Sequence, residues 1–170
     1  VIYWNAIENI STDQINSQLD ILNADYAGTG LNANTCPAAF QSLKANTNIS
    51  FCKAAKNPSG TTLAEAGIDR INAQTAGFTN PGANGWSDTY IDNVIKPATT
   101  WDASKYLNVW VLPLEDGTLG YATFPGGPSN IDGVVIGYTY YGSTGTVSPP
   151  YNKGRTATHE IGHWLGLFHI

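Results

Sequence analysis

The chain has 170 residues, 42% of them hydrophobic and only 12% charged, with a formal net charge of −5. That length supports one domain with its own apolar core. The acidic balance and the lack of any basic run give no electrostatic footprint for nucleic acid, and no stretch approaches the ~18 apolar residues of a membrane span. Asn, Thr, Ser, Gln and Gly make up the polar surface beside 9 Tyr and 5 Trp, a composition more common in secreted proteins. The sequence opens at Val1 without a charged n-region or a long h-region. We expect a mature, secreted form from which a leader and pro-segment have been removed.

Residues 1–6 are apolar and suit the first strand of a sheet. Ser11 stands as an N-cap with Gln14 three residues on, a capping-box arrangement flanked by Ile10 and Ile15 at staple positions. Ile15, Leu19, Leu22 and Tyr26 follow at helical spacing, and Gly28 and Gly30 mark the end of that helix. Residues 28–47 read as a long polar connection around Cys36. Cys36 and Cys52 are the only cysteines. As a disulfide they would close a loop of about 15 residues, worth roughly 3 kcal/mol in the chain-entropy model. The alternative is two independent buried thiols; the even count and secreted-type composition favour the bridge.

Residues 48–54 alternate, with Ile49, Phe51 and Lys53 on one side, and read as a strand. Asn57-Pro58-Ser59-Gly60 is a turn, and 67–71 reads as a short strand. A second helix is expected over 87–96, stopped by Pro97. The loop 80–85 lacks the acidic series of a calcium site. Residues 106–112 are nearly continuous apolar and suit a central buried strand, after which Glu115-Asp116-Gly117 turns the chain. Residues 120–124 run into Pro125-Gly126-Gly127-Pro128 and suit an edge strand. Residues 133–141 form another strand, followed by a Gly/Ser/Pro-rich loop over 142–154. Trp4, Trp86, Trp101 and Trp110 read as packing residues. Strands and helices in this order predict a mixed α/β fold built as one sheet-and-helix layer pair.

All 3 histidines of the chain lie in His159-Glu160-Ile161-Gly162-His163-Trp164-Leu165-Gly166-Leu167-Phe168-His169, an H-E-x-x-H-x-x-G-x-x-H pattern. Four residues apart on a helix, His159 and His163 share one face and can clamp one ion. Gly166 permits the sharp exit that brings His169 back as a third ligand. Three imidazoles leave a fourth Zn²⁺ position for water, the catalytic rather than the structural pattern. Glu160, beside the first ligand, is placed to take a proton from the zinc-bound water and pass it to the leaving amine. A bare H-E-x-x-H arises by chance; the added Gly and third His at fixed offsets make coincidence hard to sustain.

The motif resembles that of the metzincin clan of zinc peptidases. Segments 48–54, 57–60, 67–68, 106–110, 119–125, 132–136 and 154–156 are similar to its pappalysin family, in particular to ulilysin-like members, and the likeness covers most of 45–170. The resemblance implies an α/β (zincin-like α+β) fold: a twisted, mixed five-stranded sheet with a backing helix and an active-site helix. It implies that His159, His163 and His169 bind one Zn²⁺ and that Glu160 is the general base. It makes Gly120, Tyr121, Ala122 and Thr123 the upper-rim strand, to which a protein or peptide substrate adds as an extended strand. It further implies secretion as a zymogen. Metzincins carry a methionine turn beneath the metal, and this chain has 0 Met. Residues 1–170 are therefore expected to correspond to the N-terminal (upper) subdomain. The C-terminal subdomain, with further disulfides and Ca²⁺ sites, is absent from this chain and is its expected partner. Weak zinc retention and low activity are expected without it. The expected function is secreted zinc endopeptidase. The alternatives are a non-catalytic zinc-binding or strand-capturing fragment, inactive without its C-terminal half, and a structural domain with a vestigial site.

Overall fold

The computed structural model describes residues 1–115 and 117–169. Its five short strands form two hydrogen-bonded groups. Strand β1 (Ile2–Tyr3) pairs in parallel with β2 (Ile71–Asn72). Strands β3 (Val109–Leu112), β4 (Gly120–Ala122) and β5 (Val134–Gly137) lie in the order β3-β5-β4, β3 parallel and β4 antiparallel to β5. Helices α1 (Thr12–Tyr26), α2 (88–99) and α3 (Arg155–Trp164) complete the frame. The expected turn at 115–117 includes Asp116, which lies outside the described residues. Among the described residues no helix is long and apolar enough to cross a membrane.

Strand alternation sets the layers. Trp110, Leu112 and Val135 point to one face and pack with Trp86 and with Ile91 and Ile95 of α2. Val111, Val134 and Ile136 point to the other, under Ile15, Leu22 and Tyr26 of α1 and Ala157 and Ile161 of α3. Val134, Val135 and Ile136 are fully buried, as a central strand covered on both faces requires. The fold thus has helices on both sides of the sheet, one layer more than the expected pair. That extra layer is α2, whose sequence signal was broken by Pro97. The helix does not stop there: Lys96 donates its N–H to Ile91 O, five residues back, and helical structure continues to Thr99. This widened π turn just before Pro97 relieves the crowding that a proline ring meets in a regular helix.

Ser11 caps α1 as expected, its Oγ accepting the Gln14 N–H at 3.1 Å. The Gln14 side chain does not reach back to close a capping box. It turns inward, because the buried face of α1 is Gln14, Ile15, Gln18, Leu22 and Tyr26, with Leu19 only half-buried. Gln14 Nε2 donates to the carbonyls of Tyr138 (3.1 Å) and Tyr141 (2.9 Å), and its Oε1 accepts from Thr146 N (3.0 Å). Gln18 Oε1 accepts from Gly142 N (2.7 Å), and its Nε2 donates to Gly154 O (3.0 Å). Two amides one turn apart thereby satisfy backbone groups of the loop that leaves β5, and deliver that loop to the start of α3.

Residues 48–54 belong to no strand, and Asn48 takes a left-handed backbone (φ +57°). Asn23 of α1 holds them instead. Its Nδ2 donates to Phe51 O (3.0 Å) and its Oδ1 accepts from Phe51 N (2.7 Å), the pair of bonds that a neighbouring strand would supply. The turn at 57–60 forms, with Gly60 N bonded to Asn57 O at 2.9 Å. The connection 28–47 contains an exposed 3₁₀ helix, Ala38–Leu43. Strand β5 is shorter than expected and passes at Tyr138–Tyr140 into another 3₁₀ turn.

Arg70 ties β2 to the entrance of α1. Its guanidinium donates to Asn9 Oδ1 (2.7 Å) and Ile10 O (2.8 Å) and forks onto the Glu65 carboxylate. The Arg70 bond first, then that from the Thr12 hydroxyl, lowers the Glu65 carboxyl to about 2.

Two outcomes are expected. Gln14→Ala strands the Tyr141 carbonyl and the Thr146 amide, and should destabilise the chain by about 1–3 kcal/mol in denaturant titration; a loss within error would show that water replaces the amide. Glu65 binds its proton less readily folded than unfolded, where its pKa is ~4.3. Its stabilisation is therefore present above that value and lost as pH falls toward 2. Thermal melts between pH 6 and 2 should show a shallower acid decline for Glu65→Gln than for the parent.

Candidate metal centre

Helix α3 starts at a bend that only glycine takes easily: Gly154 has φ +64°, and a Cβ there would lie 2.7 Å from Ile21 Cδ1. From α1, Asp25 pairs with Arg155 at 3.3 Å and accepts the Thr158 hydroxyl at 2.7 Å, while the Tyr26 hydroxyl donates to Thr158 O at 3.3 Å. At its far end Trp164 Nε1 donates to Asp132 Oδ1 at 2.8 Å. The helix is thus held on both sides of its ligands.

The exit is a Schellman turn. Gly166 (φ +94°) donates to His163 O at 2.8 Å and Leu167 N to Gly162 O at 2.9 Å. That reversal carries His169 back over the helix. The Nε2 atoms of His159, His163 and His169 each lie 2.9 Å from the other two. His163 Nδ1 lies 2.7 Å from Leu167 O, so its proton belongs on Nδ1 and its Nε2 is a lone pair. At most two protons then remain for three contacts. No choice of tautomers satisfies all three pairs, whereas one cation at the ~2.0–2.1 Å of a zinc–imidazole bond does. The Leu167 carbonyl is the outer partner that fixes the ring of a metal-bound histidine. The donor set fits the ion that the motif implies.

Glu160 is buried, and that burial raises its carboxyl, opposed by the charge of His163. Burial likewise lowers the His159 imidazole, helped by its two histidine neighbours. Above Glu160 runs β4. Gly120 lies on the α3 side of the sheet, and a Cβ there would stand 2.7 Å from Val135 O and 3.1 Å from Glu160 Cγ. Leu119 O accepts from Gly137 N and Thr123 N donates to Gly133 O, so odd-numbered residues of this stretch bond inward to β5. The backbone groups of Gly120 and Ala122 therefore face the free edge. Tyr121 and Thr123 point elsewhere: the Tyr121 hydroxyl donates to Asp92 Oδ1 at 2.8 Å, and the Thr123 hydroxyl to Ile131 O at 2.8 Å.

Phe124 closes one end of the cleft, stacked on Phe168 with ring centroids 4.9 Å apart and 5.3 Å from that of His163. A depression of about 350 Å³ lies beside the triad, lined by Tyr26, Thr47, Leu167 and Phe168 among others. A larger cavity of about 470 Å³ sits between α1 and β3 among aliphatic side chains such as Ile15, Leu19 and Val109; the chemistry belongs to the smaller one, where the imidazoles converge. Cys36 and Cys52 are not brought together. Both are free, Cys36 Sγ turned to Pro37 O at 3.7 Å and Cys52 exposed on the segment that Asn23 fixes to α1. The expected bridge is absent because the two residues are anchored to different neighbours. Gln18, Asp25 and Asp132, which hold α3, carried no motif signal; the i,i+4 glutamines beside an apolar stripe were the one legible trace.

Residues 88–170 match the family model for pregnancy-associated plasma protein-A peptidases. An extracellular metalloprotease of Podospora anserina is 36% identical over 129 residues, 73% of this chain and 41% of that protein. One from Arthroderma benhamiae is 27% identical over 165 residues, 95% of this chain and 42% of that protein. Mature mirolysin of Tannerella forsythia, solved in complex with a cleaved peptide, superposes with a TM-score of 0.85 at 40% identity, over 100% of this chain and 62% of that one. The chain thus spans under half the length of these curated relatives. The likeness to the pregnancy-associated plasma protein-A, or pappalysin, family thus rests on residues 88–170, the segment that holds the histidine triad.

Proposed function

We propose that the chain is the metal- and peptide-binding part of an extracellular zinc endopeptidase in which Glu160 is the general base. The observation that carries this reading is the convergence of three imidazole Nε2 atoms, 2.9 Å apart, beside a buried glutamate and under a free strand edge. When bound, zinc supplies Lewis acidity toward a water and a scissile carbonyl. The peptide lies extended along β4 and bonds to the backbone of Gly120 and Ala122, while Tyr121 and Thr123 anchor that strand from within. Glu160 accepts the proton of the attacking water and returns it to the leaving nitrogen; burial lifts its carboxyl toward working pH, as a base for this task needs. The extracellular names of the relatives support an extracellular site of action, and the peptide in the mirolysin complex supports a peptide substrate.

The foot of α3 exposes Leu167 at 65% and Phe168 at 76%. We assign this face to packing against a C-terminal subdomain such as the remaining length of those relatives provides. That subdomain would bring the methionine turn and calcium sites implied by the resemblance.

Glu160→Ala should leave zinc content unchanged and lower peptide cleavage by about 10²–10⁴-fold. Cleavage at the parental rate would remove Glu160 from the mechanism. Loss of cleavage together with unchanged capture of a peptide strand would isolate the binding function. Absence of cleavage from the zinc-loaded parent would favour the non-catalytic, strand-capturing reading. Gly120→Ala forces apart β4 and Glu160, so kcat should fall about tenfold or more with zinc retained; an unchanged kcat would show that the contact yields without moving the base.

A further inference from the structure

The least expected charged group in the molecule is Lys96 of α2. It is fully buried (0% exposed) on the sheet face opposite the metal centre. Its ammonium lies against Trp110 and Tyr121 of the apolar cluster on that face, where a leucine or methionine would pack without desolvating a cation. Burying an ammonium beside a carboxylate that is itself 34% exposed carries no net stabilisation as a rule, so the lysine calls for another reason. Lys96 Nζ lies 2.7 Å from Asp92 Oδ1, one turn back on the same helix. That same oxygen accepts the Tyr121 hydroxyl at 2.8 Å. The ammonium also lies 4.5 Å from the centroid of the Tyr121 ring and 5.3 Å from that of Trp110, within reach of both faces for a cation–π contact. Trp110 is pinned in turn by its Nε1 bond to Thr99 Oγ1 at 2.9 Å.

Tyr121 is therefore gripped twice, at its hydroxyl by Asp92 and at its ring face by Lys96. It is the middle residue of the three-residue β4 and the one that faces this side of the sheet. Gly120 and Ala122, on either side of it, offer the free backbone edge, and neither has a side chain able to anchor the strand. Directional bonds to Tyr121 fix the tilt of the pleat more narrowly than apolar packing would, because a hydrogen bond and a ring face each have a preferred geometry.

We propose that Lys96 and Asp92 are positioning residues for substrate binding: through Tyr121 they hold β4 at the height and tilt at which an incoming peptide strand can pair with Gly120 and Ala122. The inference rests on the peptidase reading for its kinetic form, and on the structure alone for its mechanical form. It separates the two faces of the sheet by task. The face with α1 and α3 orders the metal ligands and the base; the face with α2 orders the edge that receives the peptide.

The test uses the zinc-loaded full-length protein and a quenched fluorescent peptide that the parent cleaves. Lys96→Met keeps the length of the side chain and removes its charge; Tyr121→Phe removes only the hydroxyl and serves if Lys96→Met does not fold. For either, KM should rise at least about fivefold while kcat stays within about twofold, the signature of lost binding common to ground and transition states. Zinc content should not change. An unaltered KM, or a fall in kcat with KM constant, would overturn the proposal. Amide hydrogen exchange keeps the two readings apart. If the parent cleaves no peptide, the function proposed above fails, but the clamp still predicts faster exchange at Tyr121 N in Lys96→Met, with α3 unaffected. Exchange unchanged at Tyr121, or accelerated equally across both faces of the sheet, would sink the clamp itself.

Discussion

Three imidazole nitrogens 2.9 Å apart lack the protons to satisfy one another, so their approach has to be enforced by the backbone and rewarded by an ion. Enforcement begins with the Schellman exit at Gly166, which turns the chain back over its own helix. The same turn presents Leu167 O to His163, so one backbone reversal both returns His169 and orients the His163 ring. The rest of the fold keeps this helix still. Asp25 and Tyr26 grip its first turn, Trp164 and Asp132 its last, and the apolar side of the helix is sealed by Ala157 and Ile161 against β5.

Helix α1 does this with a face that is partly polar. Gln14 and Gln18 are buried as completely as Ile15 and Leu22 beside them. A buried amide is tolerable only when both its ends are bonded, and here each glutamine has a donor and an acceptor contact on the loop between β5 and α3. That loop is rich in Gly and Ser, and its own side-chain packing is carried by tyrosines such as Tyr140 and Tyr151. Its conformation is imposed from α1, and the start of the metal-binding helix is imposed with it. Asn23 applies the same device to 48–54, where one amide does the work of a strand neighbour.

How much of this was legible in sequence follows from how local each feature is. The helix over 155–164, its glycine exit and the convergence of its histidines were readable because 3.6-residue spacing and a positive-φ glycine are properties of adjacent residues. The buried strands 109–112 and 134–137 were readable because a central strand has no polar face. The strand read at 48–54 was misassigned because alternation reports a half-buried extended chain but not what bonds to it. The stop read at Pro97 failed because a π turn, one residue wider, accommodates the ring. Gln14 carried a correct cap signal and a wrong inference, since its backbone N–H serves Ser11 while its side chain serves a loop more than a hundred residues away. The clustering of Lys96, Asp92 and Tyr121 was invisible because it depends on which strand lands over which helix, and that is decided by topology.

The three histidines lie within residues 159–169, whereas β1 must find β2 across the span from Ile2 to Ile71 and β3 must find β5 from Val109 to Val134. Closing a short loop costs less chain entropy than closing a long one. The metal centre and the peptide edge therefore have different assembly requirements. The histidine cluster draws on one helix and its glycine exit, a closure of 10 residues from His159 to His169. The strand edge appears only once distant segments have docked. A substitution that weakens the sheet therefore reaches the edge directly, and the histidine cluster only through the side chains that hold α3.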